Sequence, residues 1–547
     1  MSQGNGKARL NTLVRNHMRR WNGWGDPSIT MELAEPGRNL LEEVLGKGTP
    51  WEDCSRRSLL ERVPKSKLSE HALVATDPES RLDHAHGQSL PDWISLRGGT
   101  LDRFPDGVAF PADQEEIQEL LDFSTYQKAT VIPYGGGTSV LGHLTVPDTG
   151  RPVLTVSLKR LNRFIHFDPY SLLAGFETGI MGPDLEAHLQ SRGFTLGHYP
   201  QSFEYSSLGG WLATRSSGQY STRYGRIDEL FMGGTVTGPG GVLTIKPYPA
   251  SAAGPDLRHL LLGSEGRMGI ITEAVLRISP LPERDDIVGL FFPSWDRAVE
   301  GIRSLFSEPF PLSIVRLSNA LETEVNLALS GQDRSTALLR RLLRVRGIGR
   351  GEGCMCLVGF TGTARRVAAA RRATESVLKK EKAFFLGKVM GRAWKRTRFR
   401  IPYLRNSLWS AGYAVETIET AAPWKSVTEL MVALETALSE SLVPWNERLL
   451  VFSHLSSPYS TGSNVYTTAL FRLAPTPEET LERWRRVKEA AAGAIVACGG
   501  TISHQHGVGL DHKPWLEGEK GRLGMDITAA AFSSMDPDGR MNTTKLL

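Results

Sequence analysis

Three stretches rich in glycine and serine constrain this chain most: VIPYGGGTSVLG at 131–142, HYPQSFEYSSLGGWLATRSSGQYSTRYG at 198–225 and LLGSEGRMGIITE at 261–273. The first follows a short apolar, β-branched run and the third precedes one, which sets both at corners between strand and loop. Consecutive glycines at 135–137 let the backbone take positive φ and turn its amides inward, while Thr138 and Ser139 add hydroxyl donors. That combination suits a pyrophosphate. The lysine of a Walker loop is missing and the spacing is not G-x-G-x-x-G. The second stretch adds Arg215 and Tyr224 among its serines, and the third adds a carboxylate, Glu265. Three separated loops of this type point to one long ligand held largely by backbone.

The chain has 547 residues, 40% of them hydrophobic, and so has room for several domains with ordinary cores. QEEIQELLDFSTYQ (114–127) has helical spacing and leads into the strand ATVIPY and the first glycine loop. PVLTVSL (152–158) reads as a strand, PDLEAHLQSRG (183–193) as a helix, and GIITEAVLRISPLPE (269–283) closes the region, with a boundary expected near 284. Beyond it, helices at 363–381 and 476–497 alternate with the strands RLLVFSHL and NVYTTALF. Thr476, Pro477 and Glu479 predict a capping box at the start of the second of these helices.

No apolar run reaches the roughly 18 residues of a membrane span. The basic stretch MSQGNGKARLNTLVRNHMRR lacks the apolar core of a secretory signal, which predicts an intracellular protein. Cys54, Cys354, Cys356 and Cys498 are too few and too irregular for a disulfide framework or a zinc site, and are expected as reduced, buried thiols. The net charge of +5 is small for this length but concentrates in LLRRLLRVRGIGR (338–350) and KVMGRAWKRTRFR (388–400). Such segments are either solvated helix faces or contacts with an anionic membrane surface. No nucleic-acid motif accompanies them.

GGTISHQHGVGL (499–510) places His504 and His506 on either side of Gln505 at a glycine-flanked turn. Taken alone, the residue types admit metal ligation, proton transfer or packing.

PYGGGTS, SSLGGWLATRSSG and GSEGRMGIITE, in that order, resemble the FAD-binding domain of the vanillyl-alcohol-oxidase superfamily. The resemblance implies an α+β fold, with a two-subdomain PCMH-type FAD-binding domain and an α/β cap domain built on an antiparallel sheet. It divides the chain into an N-terminal helical and extended segment (1–100), the FAD-binding domain (101–283), the cap or substrate domain (284–500) and a C-terminal segment returning to the flavin site (501–547). It implies FAD, bound non-covalently, on Pro133, Tyr134, Gly135, Gly136, Gly137, Thr138, Ser139, Gln201, Ser202, Ser206, Ser207, Thr214, Arg215, Ser216, Ser217, Glu265, Gly266, Gly269, Ile270 and Ile271. His143 and His198 are the histidines near these loops to which covalent attachment would fall.

A closer resemblance is to the alkyldihydroxyacetonephosphate synthase family. It runs from RRWNGWGD (19–26) through PLSIVRLSN (311–319), IPYLRNSLWSAGYAVETIETAAPW (401–424) and PYSTGSNVY (458–466) to SHQHGVG and MDPDGRMNTTKLL, nearly the whole chain. The family exchanges the acyl chain of acyl-dihydroxyacetone phosphate for a long-chain alcohol, using the flavin as a covalent relay through N5 without net redox change. By this resemblance Arg405 binds the substrate, Tyr459 gives and takes a proton, Arg316 supports activity, and His504 and His506 match the outer two of three successive histidines. Gln505 replaces the middle one and Ser460 replaces an aspartate, both departures in the proton relay.

Related dehydrogenases of 2-hydroxy acids carry Glu-His-Gly at this turn and a second strand histidine. Here Gln505 and Tyr466 stand at those places, with only His454 left on the strands, so no metal is expected. The alternative function is an FAD-dependent oxidase or dehydrogenase of a hydroxylated lipid or organic acid. The expected partners are the lipid substrates and no nucleic acid, with a peripheral membrane surface and a homodimer left open. The ending TTKLL is not a peroxisomal address, so the expected location is cytoplasmic, or peripheral on a membrane.

Overall fold

The computed structural model describes residues 19–307, 311–329 and 334–547, so most of the basic N-terminal stretch lies outside the described residues. Strand Val153–Ser157 is buried along its whole length and lies parallel to Gly107–Ala109 on one side and Thr130–Tyr134 on the other. Burial on both faces is what a parallel strand of Val, Leu and Thr requires. Helix Gln114–Tyr126 makes the crossover, started by the Asp113 carboxylate accepting from Glu116 N, and Val74–Ala75 completes this four-stranded sheet. A second, antiparallel sheet runs in the order Phe164–Asp168, Leu173–Glu177, Ile270–Arg277, Phe231–Gly238, Gly241–Ile245. The first glycine loop leaves Thr130–Tyr134 of the first sheet, and the third leads into Ile270–Arg277 of the second.

The remaining large sheet is antiparallel and seven-stranded, in the order Phe384–Gly387, Arg284–Phe292, Cys354–Gly362, Leu312–Ser318, Leu450–Leu455, Gly462–Arg472, Tyr413–Pro423. Helices Trp295–Phe306 and Ala364–Lys380 cover the first strands through Ala298, Ile302, Val367 and Leu378. The register of the last strands matters for chemistry. Ser318 pairs with His454, His454 with Tyr466, and Tyr466 with Glu419, so these four share one face in one row. Two residues along lies the row Phe452, Thr468, Thr417, and two further the row Leu450, Leu470, Val415. Because side chains alternate with period two, this face grades from charged to apolar along the strands.

The N-terminal residues strap both halves together. Trp24 and Asn406 exchange two hydrogen bonds of 3.0 Å, and Trp51 Nε1 donates to Ala474 O at 2.7 Å. Helix Glu35–Leu45 packs Leu41 and Leu45 with Val325, Leu408, Leu450 and Leu470. At the other end of the chain, Val131 N donates to Arg540 O and Asn542 N to Val131 O, which docks the tail on the edge of the four-stranded sheet.

Two local expectations need correction. Thr476 accepts from Glu479 N at 3.2 Å, but the reciprocal bond of a capping box is not formed, because this exposed turn leaves Glu479 free to face water. Cys354 and Cys356 are buried, on a central strand, whereas Cys54 and Cys498 lie half-exposed at a loop and a helix end. The two basic segments form helices Arg334–Val345 and Val389–Thr397.

Candidate active site

The three loops meet along one cavity of about 520 Å³, whose wall continues onto the graded face of the seven-stranded sheet. A Cβ on Gly136 would lie 2.0 Å from the Tyr205 carbonyl oxygen, so the first two loops touch only because residue 136 has no side chain. Arg19 bridges the same loops, donating to Gly136 O at 2.5 Å and to Tyr205 O at 2.9 Å. Ser217 Oγ is buried at this wall without a hydrogen-bond partner from the protein. A backbone-lined groove with an orphaned hydroxyl fits the FAD expected from the sequence.

Pro133 to Ser139, Gln201, Ser202, Ser206, Ser207, Thr214, Ser216, Ser217, Gly266, Gly269 and Ile271 all line the cavity. Two expected residues do not. Arg215 turns in the left-handed conformation at a helix end and pairs with Asp228 at 3.0 Å, while Ile270 is wholly buried under the four-stranded sheet. Glu265 reaches the wall, but its carboxylate accepts from Val508 N (2.5 Å) and Gly509 N (2.9 Å), so it anchors the histidine turn to the loops. Of the two histidines near the loops, His198 does not itself line the cavity, and its Nε2 bonds Ser216 Oγ, a wall residue, at 2.8 Å. His143 places Nδ1 at 2.6 Å from Ser139 Oγ and Nε2 at 3.2 Å from Glu265.

Tyr459 and His504 do not line the cavity; behind its polar end, reached through Gln505 and His506, they join a relay built around a residue that the sequence did not single out. Glu419 is 3% exposed. Its Oε1 lies 2.8 Å from His504 Nδ1 and accepts from Asn464 Nδ2 at 2.8 Å; its Oε2 accepts from Gln505 Nε2 at 2.5 Å and lies 3.8 Å from His506 Nε2. Burial alone would push this carboxyl up, but the His504 hydrogen bond, the charges of His504 and His506 and the Asn464 bond hold it at about 2. An ionised Glu419 assigns the hydrogen of His504 to Nδ1, leaving Nε2 to accept from Tyr459 Oη at 2.7 Å. Burial raises the Tyr459 phenol above its ordinary value, opposed by the Arg226 guanidinium beside it. Arg226 also donates to His504 O at 2.8 Å. Burial lowers His506, which lines the cavity.

Arg316 and Arg405 differ in a way that decides their use. Arg316 donates to Glu322 Oε1 at 2.7 Å, beside His454, whose Nδ1 is 3.0 Å from the same oxygen and whose ring stacks on Tyr466. Among the described residues Arg405 has no carboxylate partner within ion-pair distance. It donates to Gln88 O at 2.6 Å and lies 4.1 Å over the Trp93 ring, its Nε is unpartnered, and its remaining surface opens into the cavity. Burial lowers it to about 10, still charged at neutral pH. A half-buried cation at a cavity wall with no carboxylate in ion-pair reach is a place for an anion. Gln505 reaches the cavity but spends its amide on Glu419. No group of three His, Cys, Asp or Glu side chains with metal-holding geometry occurs among the described residues.

The signal for Glu419 lay within the ETIETAAPW block, but Glu416 stands three residues before it and only strand pairing separates their roles. Arg226 and Glu322 carried no signal beyond their residue type.

The profile of the FAD binding domain matches residues 105–245 and that of the FAD linked oxidases, C-terminal domain, matches residues 281–546; together they span most of the chain. Alkyldihydroxyacetonephosphate synthase of Dictyostelium discoideum is 29% identical over 86% of this chain and 78% of its own length. The synthase of Trypanosoma brucei brucei is 28% identical over 96% of this chain and 92% of its own. A solved structure of an alkyldihydroxyacetonephosphate synthase superposes with a TM-score of 0.81 at 25% identity, covering 96% of this chain and 99% of that one. The chain thus carries a FAD binding domain and the C-terminal domain of FAD linked oxidases, is similar over nearly its whole length to the alkyldihydroxyacetonephosphate synthases, and its cofactor is FAD.

Proposed function

We propose that the protein exchanges the acyl chain of acyl-dihydroxyacetone phosphate for a long-chain alcohol to form an ether. The observation that carries this reading is the graded cavity: its polar end bears Arg405, Gln505 and His506, the last two touching Glu419 of the buried Tyr–His–Glu relay behind it, and the sheet face turns apolar within two further rows. A small polar head and a long apolar tail fit no simpler site. Bound FAD supplies the flavin ring as the carrier of the exchange, with no net redox change.

The chain's own residues do the rest. Arg405 receives the phosphate, and its stacking on Trp93 fixes the guanidinium plane. The exchange must take a carbon-bound proton next to the ketone and the hydroxyl proton of the incoming alcohol. The acyl group leaves as a carboxylate, so one proton is released overall. Tyr459, protonated at neutral pH because burial raises it, passes a proton to His504 only as His504 leans on Glu419, and takes it back by the same path. Arg316, held by Glu322, keeps positive charge beside the reacting end. Water is excluded by the apolar rows.

The test is an anaerobic incubation of the yellow protein with acyl-dihydroxyacetone phosphate and isotope-labelled hexadecanol. Labelled ether at catalytic turnover without an electron acceptor supports the proposal. An intact acyl ester, with flavin bleaching by a hydroxylated acid instead, moves the reading to a dehydrogenase.

The FAD is taken as non-covalent, since His198 lies behind Ser216 rather than on the cavity wall and His143 is engaged with Ser139 and Glu265. A peripheral place on the cytoplasmic face of a membrane is part of the same proposal. Among the described residues no helix is long and apolar enough to cross a membrane. Helix Arg334–Val345 exposes Leu338 (58%), Leu342 (42%) and Val345 (79%) along one side, with Arg341 and Arg344 between them. That stripe is what an interfacial helix presents to anionic lipid. Binding to anionic vesicles should fall steeply with salt, and equal pelleting with neutral vesicles would remove the electrostatic part.

A further inference from the structure

The apolar arm of the cavity has a wall made of bare backbone. Along the sheet face it runs from His454 to Leu450, about 13 Å at a strand rise of roughly 3.3 Å per residue. Across from the sheet it is roofed by helices Glu35–Leu45 and Ala320–Leu329, which meet at the cavity. Leu33, Gly37, Leu40 and Leu41 recur at helical spacing and all line it. Where the two helices come together the first offers Gly37 and the second Leu329. A Cβ on Gly37 would lie 2.7 Å from Leu329 Cδ2 and 3.4 Å from Leu33 Cδ1.

We propose that Gly37 and Leu329 together set the longest chain that the apolar arm accepts. The proposal rests on the alkyl-transfer reading for its substrate. Its physical basis is narrower. Any side chain at position 37 competes with the tip of Leu329 for space at the arm, and a leucine tip is flexible enough to yield into the cavity rather than break the helix pair. Helix Ala320–Leu329 is also fixed at its polar end, where Glu322 pairs with Arg316, so it cannot retreat from an enlarged residue 37 without breaking that pair. The arm shortens instead.

The experiment is a one-pot competition between labelled hexadecanol and labelled octanol with the FAD-loaded protein, reading the ratio of the two ethers by mass spectrometry. Gly37→Leu should shift that ratio toward octyl ether by at least about tenfold, the burial of roughly two methylenes. Leu329→Ala should shift the wild-type preference toward hexadecanol. A Gly37→Leu protein that keeps its flavin and an unchanged ratio overturns the proposal. Should that variant fail to fold, Leu329→Ala decides alone, and an unchanged ratio there overturns it equally. If wild type forms no ether from either alcohol, the transfer reading has failed. The gauge is then read by displacement of cis-parinaric acid: palmitate must lose about tenfold against octanoate in Gly37→Leu, and equal displacement by both proteins overturns it.

Discussion

Burial opposes the acidity of Tyr459, raising the phenol while Arg226 pulls the other way. On the proposed mechanism its proton moves through His504, and Tyr459→Phe removes that path without removing bulk. Turnover should fall by on the order of a hundredfold or more, with flavin content unchanged. Glu419→Gln tests the other end. The amide still fills the space among His504, Gln505 and Asn464, but its own hydrogens face two donors, so the hydrogen on His504 Nδ1 is no longer specified. We expect a loss of similar order in kcat with KM little changed. A variant at full rate would mean that Glu419 serves packing alone. Gln505 was a departure that put the relay in doubt; here it lies beside the proton path, donating to the carboxylate that steers it.

At the level of elements, the glycine loop acts on its neighbour as much as on its ligand. Gly136→Val carries its side chain into the Tyr205 carbonyl, which separates the first loop from the second, and should give folded but flavin-poor protein by absorbance. Full flavin content in that variant would remove the loop from the binding site. The strands show why some of the site was readable and some was not. RLLVFSHL and NVYTTALF announce strands by composition, and the pairing of His454 with Tyr466 and of Tyr466 with Glu419 then follows from register. Register is a non-local property set by burial of one whole face, so Glu419 and Glu416 could not be told apart from their local sequence. Helix Glu35–Leu45 is the sharper case. Its apolar stripe is visible in the sequence, but Val325 and Leu450, which it covers, lie hundreds of residues downstream.

For the whole molecule, buried titratable groups predict a two-stage response to acid. Burial lowers His84 to about 4 and His198 to about 3, so their neutral forms are favoured in the fold; that stability is complete above an unfolded value of 6.5 and is lost as pH falls below it. Glu322 and Glu419 are held at about 2 by their partners, despite burial that would raise them. Their stability is present above the unfolded value of 4.5 and is lost as pH falls toward 2. Thermal midpoints should decline gently below about pH 6.5 and steeply below about pH 4.5. A midpoint flat between neutrality and pH 5 would show that the histidines open to water before the fold gives way.

Sequence by itself determined the cofactor class, through three glycine-rich loops whose φ freedom and hydroxyls are local properties, and it determined the reaction family through residues such as Arg405 and Tyr459 in recognisable blocks. Tertiary structure alone decided that Arg405 has no carboxylate within ion-pair distance among the described residues, that Glu265 ties the histidine turn to the loops, that Arg215 turns away, and that Glu419 joins three side chains of one turn. Those facts depend on which charges meet after strands distant in the chain have paired. Pairing is selected by burying a whole sheet face, which no single residue records.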